Sequence, residues 1–213
     1  EIDALPFLPP GQLSLSFSRT FTLQKGLTAR LPKTLTHLDL RQVSLPCADF
    51  ALLPPSLTSL YLPFLHNKSA KGIVHLKRLT NLQIHGGTMS IKGYRCLPKT
   101  ITRLQLERVS ILHPSAFHEL PPCLTELIVF GHKNDTRMAD PTAYEKLPVS
   151  LRFLHLKVLD RLIPLGDFSP CFFRLSQLSN LTIEGAHVPW PCTFPPKLQY
   201  LTFPVAPSTL MTW

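Results

Sequence analysis

A ten-residue phrase recurs along this 213-residue chain and constrains its fold more than any other feature. The phrase "LPKTLTHLDL" at 31–40 returns as "LPPSLTSLYL" at 53–62, and six clear and three weaker copies share the pattern LxxLxL. The first apolar residue of the pattern advances by 22 residues in each step from Leu35 to Ile101, and then by 23, 27, 27 and 20. A period near 22 in a single phase predicts a solenoid, in which each unit is a short strand followed by a return segment.

The alternation inside the phrase predicts which side chains face the core. In a strand, successive side chains point to opposite faces, so Leu104 and Leu106 would point inward and Gln105 outward. No unit could bury its apolar face alone, and stacking of parallel strands would have to do so. The Leu-Pro pair before most of the strands suits the strand entry, because proline has no N–H to give to a sheet.

Four aromatic residues mark the return segments. Phe50, Tyr94, Phe117 and Tyr144 each lie seven residues before the first apolar residue of a phrase. We therefore expect a buried aromatic column on the convex side of the core.

The repeats resemble those of the leucine-rich repeat family over essentially the whole chain. Their Leu-Pro-x-Ser/Thr-Leu-Thr sequence is similar to that of repeats from eukaryotic microbes. The resemblance implies an α/β solenoid with a curved parallel β-sheet on the concave face and short irregular, 3-10 or helical segments on the convex face. Residues 1–213 would form one leucine-rich repeat domain. Neither end shows a polar cap, which favours a fragment of a longer protein.

The chain departs from the family pattern at one position of the repeat. The family usually has Asn three residues after the last strand leucine, where its amide satisfies the backbone of the turn. Without that amide, the turn backbone needs other hydrogen-bond partners. The residues found there are Val43, Leu65, Gly87, Val109, His132, Leu159 and Ala186.

Neither the motifs nor the cysteines point to catalysis or to a metal. The phosphate-binding, zinc-protease, hydrolase and dinucleotide motifs are missing, and no apolar run approaches the roughly 20 residues that span a bilayer. His113 and His118 lie near Cys123, but Cys123 takes a strand-entry position that Ser56 fills elsewhere. We expect no enzymatic activity, no metal and no cofactor. The five cysteines are singly spaced: Cys47, Cys96, Cys123, Cys171 and Cys192.

Two arguments about the cellular compartment oppose each other. An odd number of cysteines leaves one thiol unpaired within a monomer, which favours a reducing, intracellular compartment. Asn67 and Asn134 begin N-x-S/T sequons and are candidate N-glycosylation sites of a secreted protein. Asn180 begins a third sequon, inside a predicted strand. The sequence slightly favours an intracellular protein over a secreted one.

Charge is unevenly distributed. The net charge is +9, and no acidic residue lies between Asp49 and Glu107. This block would attract an acidic protein partner, or else make the chain a charge-driven binder of nucleic acid or anionic phospholipid through residues 50–106. Its charges would surround the solenoid, because some fall at strand entries and others on return segments. The predicted basic patch is Lys68, Lys71, Lys77, Arg78, Lys92, Arg95 and Lys99.

The outward strand positions give a candidate binding face. Ile128, Phe130 and Phe153 are apolar at positions where a solvated sheet needs polar residues, and such clusters with a polar surround are typical of binding hot spots. We expect the concave face to bind another macromolecule, and we expect the basic block to steer acidic protein partners toward it. Two other interpretations remain open. The chain could be a purely structural array with no binding partner, or the 27-residue steps could insert loops that fold over these apolar side chains and make them part of the core. The predicted contact residues are Tyr61, Gln83, Arg103, Gln105, Glu126, Ile128, Phe130, Phe153 and His155.

Overall fold

A computed structural model describes residues 11–17, 21–111, 114–131, 144–157, 169–184 and 193–202. The strands within these ranges are β1 (Ser14–Ser16), β2 (Phe21–Thr22), β3 (His37–Asp39), β4 (Val43–Ser44), β5 (Ser59–Leu62), β6 (Asn81–Ile84), β7 (Gly87–Met89), β8 (Arg103–Glu107), β9 (Val109–Ile111), β10 (Glu126–Phe130), β11 (Phe153–Lys157), β12 (Asn180–Glu184) and β13 (Tyr200–Thr202). Nine of them form one parallel sheet in the order β1-β3-β5-β6-β8-β10-β11-β12-β13, and β2-β4 and β7-β9 form two small parallel sheets.

The return segments of the described residues contain short helices. The α-helices are α1 (Asn67–Gly72), α2 (Ile91–Arg95) and α3 (Ser169–Phe173), and the 3-10 helices are Leu27–Arg30, Cys47–Leu52 and Pro114–Glu119. No helix of the described residues is long and apolar enough to cross a bilayer.

The register of the main sheet confirms the predicted phase. Leu82 pairs with Leu60 on one side and Leu104 on the other, and Leu104 pairs with Leu127. All four are completely buried. The core therefore lies between the main sheet and the return segments, and it is continuous along the stack.

A threonine ladder, which the sequence analysis did not identify, joins the strand entries. The carbonyl oxygen of Thr36 accepts hydrogen bonds from Thr58 N at 2.8 Å, Ser59 N at 3.0 Å and Thr58 Oγ1 at 3.1 Å. The same three bonds recur between Thr80 and Thr58 and continue up to Thr125. Each threonine thus satisfies backbone groups of the next repeat at the point where its strand begins.

The predicted aromatic column is confirmed. Phe50, Tyr94, Phe117 and Tyr144 are all buried, with ring centroids 5.9 Å apart for Tyr94 and Phe117 and 5.8 Å apart for Phe117 and Tyr144. Gly72 takes the equivalent position between Phe50 and Tyr94, and a Cβ there would lie 2.5 Å from Phe50 Cβ. The missing side chain lets α1 pack closely against the helix Cys47–Leu52.

Four of the seven turns that lack the family's asparagine lie within the described residues, and they find backbone partners in the adjoining repeat; His132, Leu159 and Ala186 lie outside that part of the chain. Val43 and Val109 are buried and belong to the small sheets β2-β4 and β7-β9. The buried Leu65 instead donates its N–H to the carbonyl oxygen of Gly86 at 3.0 Å. At Gly87 the backbone φ is +116°, and a side chain would collide with the carbonyl of Leu65. Backbone pairing and apolar burial therefore replace the asparagine amide at these turns.

Candidate binding face on the concave sheet

All nine predicted contact residues lie on the outward face of the main sheet, because the strand register aligns them in rows. Arg103, Glu126 and Phe153 are direct neighbours in the first row. Tyr61, Gln83, Gln105, Ile128 and His155 follow one another in the second row. Phe130 lies in the third row, between Glu107 and Lys157.

Glu107 organises the centre of this face, a role that the sequence analysis missed. Its Oε1 accepts hydrogen bonds from Gln83 Nε2 at 3.1 Å and Gln105 Nε2 at 2.5 Å, and its Oε2 lies 3.0 Å from His85 Nδ1. Gln83 lies on β6, His85 directly follows β6, and Gln105 and Glu107 lie on the neighbouring strand β8. Their alignment in the predicted rows was the available signal, but the convergence on one carboxylate depends on side-chain rotamers.

The end of the face near β3 is held by an ion pair. Arg41 binds Asp39 through two nitrogens, with Nη2 2.6 Å from Oδ2. Partial burial acts to raise the pKa of Asp39, but the hydrogen bonds and the charge of Arg41 outweigh it and leave the pKa below its ordinary value. The guanidinium carbon of Arg41 also lies 5.5 Å from the centre of the Tyr61 ring, and the Tyr61 hydroxyl accepts a bond from Asn81 Nδ2 at 3.3 Å.

A shallow depression of about 400 Å³ opens beside this ion pair. Its lining is Phe17, Asp39, Arg41, Gln42, Pro63 and His85.

The apolar part of the face lies on β10 and β11. Ile128, Phe130 and Phe153 are each half-buried, so part of each side chain faces solvent. Phe130 contacts His155 edge-on, with ring centroids 5.1 Å apart, and Lys157 Nζ lies 5.9 Å from the Phe130 centroid. We call Ile128, Phe130 and Phe153 the apolar cluster.

Paired charges flank the apolar cluster on both sides. On one side, Arg103 Nε donates to Glu126 Oε2 at 2.6 Å. On the other, Glu184 lies 2.7 Å from Lys157 Nζ and 2.9 Å from His155 Nε2. The hydrogen bond from Lys157 lowers the pKa of Glu184, and the bond from His155 adds to this effect. These side chains are oriented before any partner arrives.

The predicted basic patch is exposed but lies away from the concave face. Lys68 and Lys71 are on α1 and Lys92 and Arg95 are on α2, all on the convex side. Lys77, Arg78 and Lys99 lie in the segments that lead into β6 and β8. The structure therefore separates the basic patch from the apolar cluster, and Tyr94, which could have stacked on a base, is buried in the core.

Among the sequons, Asn67 has a structural contact. Its Oδ1 accepts a hydrogen bond from Ser90 N at 3.0 Å, and a Cβ at Gly93 would collide with the same oxygen. Asn134 lies outside the described residues. Asn180 is in β12 on the concave face, where its Oδ1 accepts a bond from Ser179 Oγ at 2.7 Å.

The thiols and histidines considered in the sequence do not converge within the described residues. Cys47, Cys96 and Cys123 are free thiols there, Cys171 is buried, and no three His, Cys, Asp or Glu side chains of that part of the chain form a metal-binding group. Cys192 and His113 lie outside the described residues.

Comparisons with known proteins show a shared fold and nothing further about this chain. No protein-family model and no curated protein matches the chain. Among solved structures, CroV588, described as a novel circular LRR protein, is 20% identical over 92% of this chain and 34% of its own length, with a TM-score of 0.52. The leucine-rich repeat-containing protein LegL7 from Legionella pneumophila is 15% identical over 94% of this chain and 85% of its own, with a TM-score of 0.47. The leucine-rich repeat domain of the type III effector XopL is 20% identical, with coverages of 92% and 80% and a TM-score of 0.48.

Proposed function

This chain has the leucine-rich repeat fold, and we propose that it is a binding protein whose concave face holds a segment of another protein. Leucine-rich repeat proteins are generally non-enzymatic interaction modules, although a fold by itself does not assign a function. The observation that carries the proposal is the apolar cluster. It stands on a sheet face whose remaining outward positions are mostly polar or charged.

The apolar cluster has surface left to bury. Complete burial of a Phe or Ile side chain contributes about 1.5–3 kcal/mol. Because Ile128, Phe130 and Phe153 are already at least half-buried, a partner would gain up to about 1 kcal/mol from each. The partner would therefore place an apolar side chain against β10 and β11.

The flanking ion pairs suit the rim of such an interface. Arg103–Glu126 and Lys157–Glu184 are already formed, so binding would order few additional side chains there. They remain near solvent, where charged pairs add specificity more than affinity. The basic patch lies on other sides of the solenoid, and it would act on association rate and not on the contacts themselves.

The test is truncation of the apolar cluster. We expect Phe153→Ala or Ile128→Ala to weaken partner binding by roughly 1–3 kcal/mol and to leave the fold intact, as for a hot spot. The partner would be captured by affinity purification with mass spectrometry and then titrated calorimetrically against purified variants.

A matched control is available in the same register row. Tyr200 is an outward aromatic two strands from Phe153 and is 66% exposed, so Tyr200→Ala should change affinity much less. If Phe153→Ala lowers the melting temperature by many degrees while the affinity per folded molecule is unchanged, the cluster is ordinary core and the proposal fails.

A further inference from the structure

The outer face of α1 carries two basic residues on one side of a short helix. Ser69 and Ala70 point into the protein and are buried. Lys68 and Lys71 are exposed and lie three residues apart, so they share one side of the helix.

α2 repeats this arrangement in the next repeat. Tyr94 is buried, whereas Lys92 and Arg95 are exposed and again lie three residues apart. α1 packs directly against α2, and the bond from Ser90 N to Asn67 Oδ1 connects the starts of the two helices. The four cations therefore form one continuous surface on the convex side.

Little negative charge offsets this surface. Asp49, on the preceding helix, is completely buried, and it accepts bonds from Gly26 N at 2.8 Å and Thr28 Oγ1 at 2.8 Å. Its carboxylate thus faces the core. Glu119 neutralises Arg95, at 2.6 Å, and the three lysines of this surface have no carboxylate partner within the described residues.

Two exposed apolar side chains lie on the return segment that holds α1 and on the one against which α1 packs. Leu52 and Val74 stand 22 residues apart, at the same position of consecutive repeats, and are 44% and 46% exposed. Leu52 ends the helix against which α1 packs, and Val74 follows α1 by two residues. Basic side chains beside exposed apolar ones are the composition of a surface that lies on a membrane interface.

We propose that this surface binds an anionic lipid bilayer. We call it the convex basic surface, and it consists of Lys68, Lys71, Lys92 and Arg95 with Leu52 and Val74. A bilayer presents many negative headgroups without having to be ordered, so a few unpaired lysines suffice for weak, reversible association. Nucleic acid fits less well, because the aromatic residue of α2 is buried and offers no stacking surface.

The proposed orientation leaves the concave sheet facing away from the membrane. The convex basic surface and the apolar cluster are on opposite sides of the solenoid, so the lipid proposal does not depend on the proposed function. A single chain could hold a protein partner at a bilayer surface.

The test is co-sedimentation of the whole chain with vesicles. We expect binding to phosphatidylcholine vesicles containing roughly a third phosphatidylserine, weak binding to pure phosphatidylcholine, and loss of binding as salt rises. The triple variant Lys68→Gln, Lys71→Gln, Lys92→Gln should lower the partition coefficient on the order of 100-fold, since each lysine near the surface contributes about fivefold. Leu52→Ser with Val74→Ser should lower it further.

The control removes the same net charge elsewhere. Lys33, Lys146 and Lys197 are exposed on other repeats, so changing all three to Gln should have a much smaller effect. Equal losses in the two triple variants, or equal binding to neutral vesicles, would overturn the proposal. Binding to duplex DNA or to polyglutamate without binding to vesicles would also overturn it, in favour of those polyanions. The lysine variant should leave the dissociation rate of a concave-face partner unchanged, whereas Phe153→Ala should raise it, which separates the two tests.

Discussion

The two halves of the concave sheet use the same strand register for opposite purposes. From β3 to β8, where the repeats advance by 22 residues, the outward side chains satisfy one another through Asp39–Arg41 and the Glu107 network. On β10 and β11, next to the 27-residue steps, the outward positions hold the apolar cluster, whose side chains are only half-buried. The same regular backbone can therefore carry very different outward side chains. The outward positions that hold partly exposed apolar side chains are those next to the longer repeats.

The largest expected effect concerns what both halves share, the inward leucines. Leu104→Asp should unfold the chain cooperatively, because an unpaired carboxylate in the core costs several kcal/mol. Urea unfolding followed by circular dichroism would measure it, with Gln105→Ala, one residue along and facing outward, as the phase control. A folded Leu104→Asp protein with near-normal melting would show that the shared register is wrong.

A smaller effect should distinguish the two halves. Glu107→Ala removes the acceptor used by Gln83, Gln105 and His85, and leaving these half-buried donors unsatisfied should lower the free energy of unfolding by about 1–2 kcal/mol. Phe153→Ala should lower it by about 1 kcal/mol, at the lower end of that range, because part of its side chain is exposed. Paired urea titrations test this, and a larger loss for Phe153→Ala would reverse the comparison.

The smallest effect is a pH dependence present in both halves. Asp39 and Glu184 have folded-state pKa values below their ordinary 3.8 and 4.5. Their ionised forms thus favour the folded state, and the stability they add is complete above those ordinary values. It is lost as pH falls through the folded-state pKa values. Asp39→Asn and Lys157→Gln should each slightly reduce the loss of unfolding free energy at acid pH, which urea titrations at several pH values would measure. If that loss is unchanged in both variants, these ion pairs do not cause it.

The phase of the repeat could be derived from the sequence because strand alternation and stacking are geometric. The inward leucines and the aromatic column at Phe50 and Tyr94 followed from spacing alone. The threonine ladder was present in the sequence as Thr36, Thr58 and Thr80 at one phase, although its hydrogen-bonding role was not inferred.

Other features depend on side-chain direction, which spacing does not determine. The sequence does not show that Asp49 turns inward, which leaves the lysines of α1 without a nearby carboxylate. It does not show that Glu107 collects three donors, because these contacts depend on rotamers. It predicted basic charges at strand entries and on return segments, but it does not show that four of the seven lie on two helices that pack against each other.

The threonine ladder has a consequence for how such a chain can change its length. Each hydroxyl bonds to the carbonyl of the equivalent residue in the preceding repeat, so every junction from Thr36 to Thr125 offers the same donors and acceptors. A duplicated unit inserted at any of these junctions would meet matching partners on both sides. Gene duplication could therefore lengthen the array by whole units without compensating substitutions, whereas an insertion that disturbs the strand entry would break the ladder.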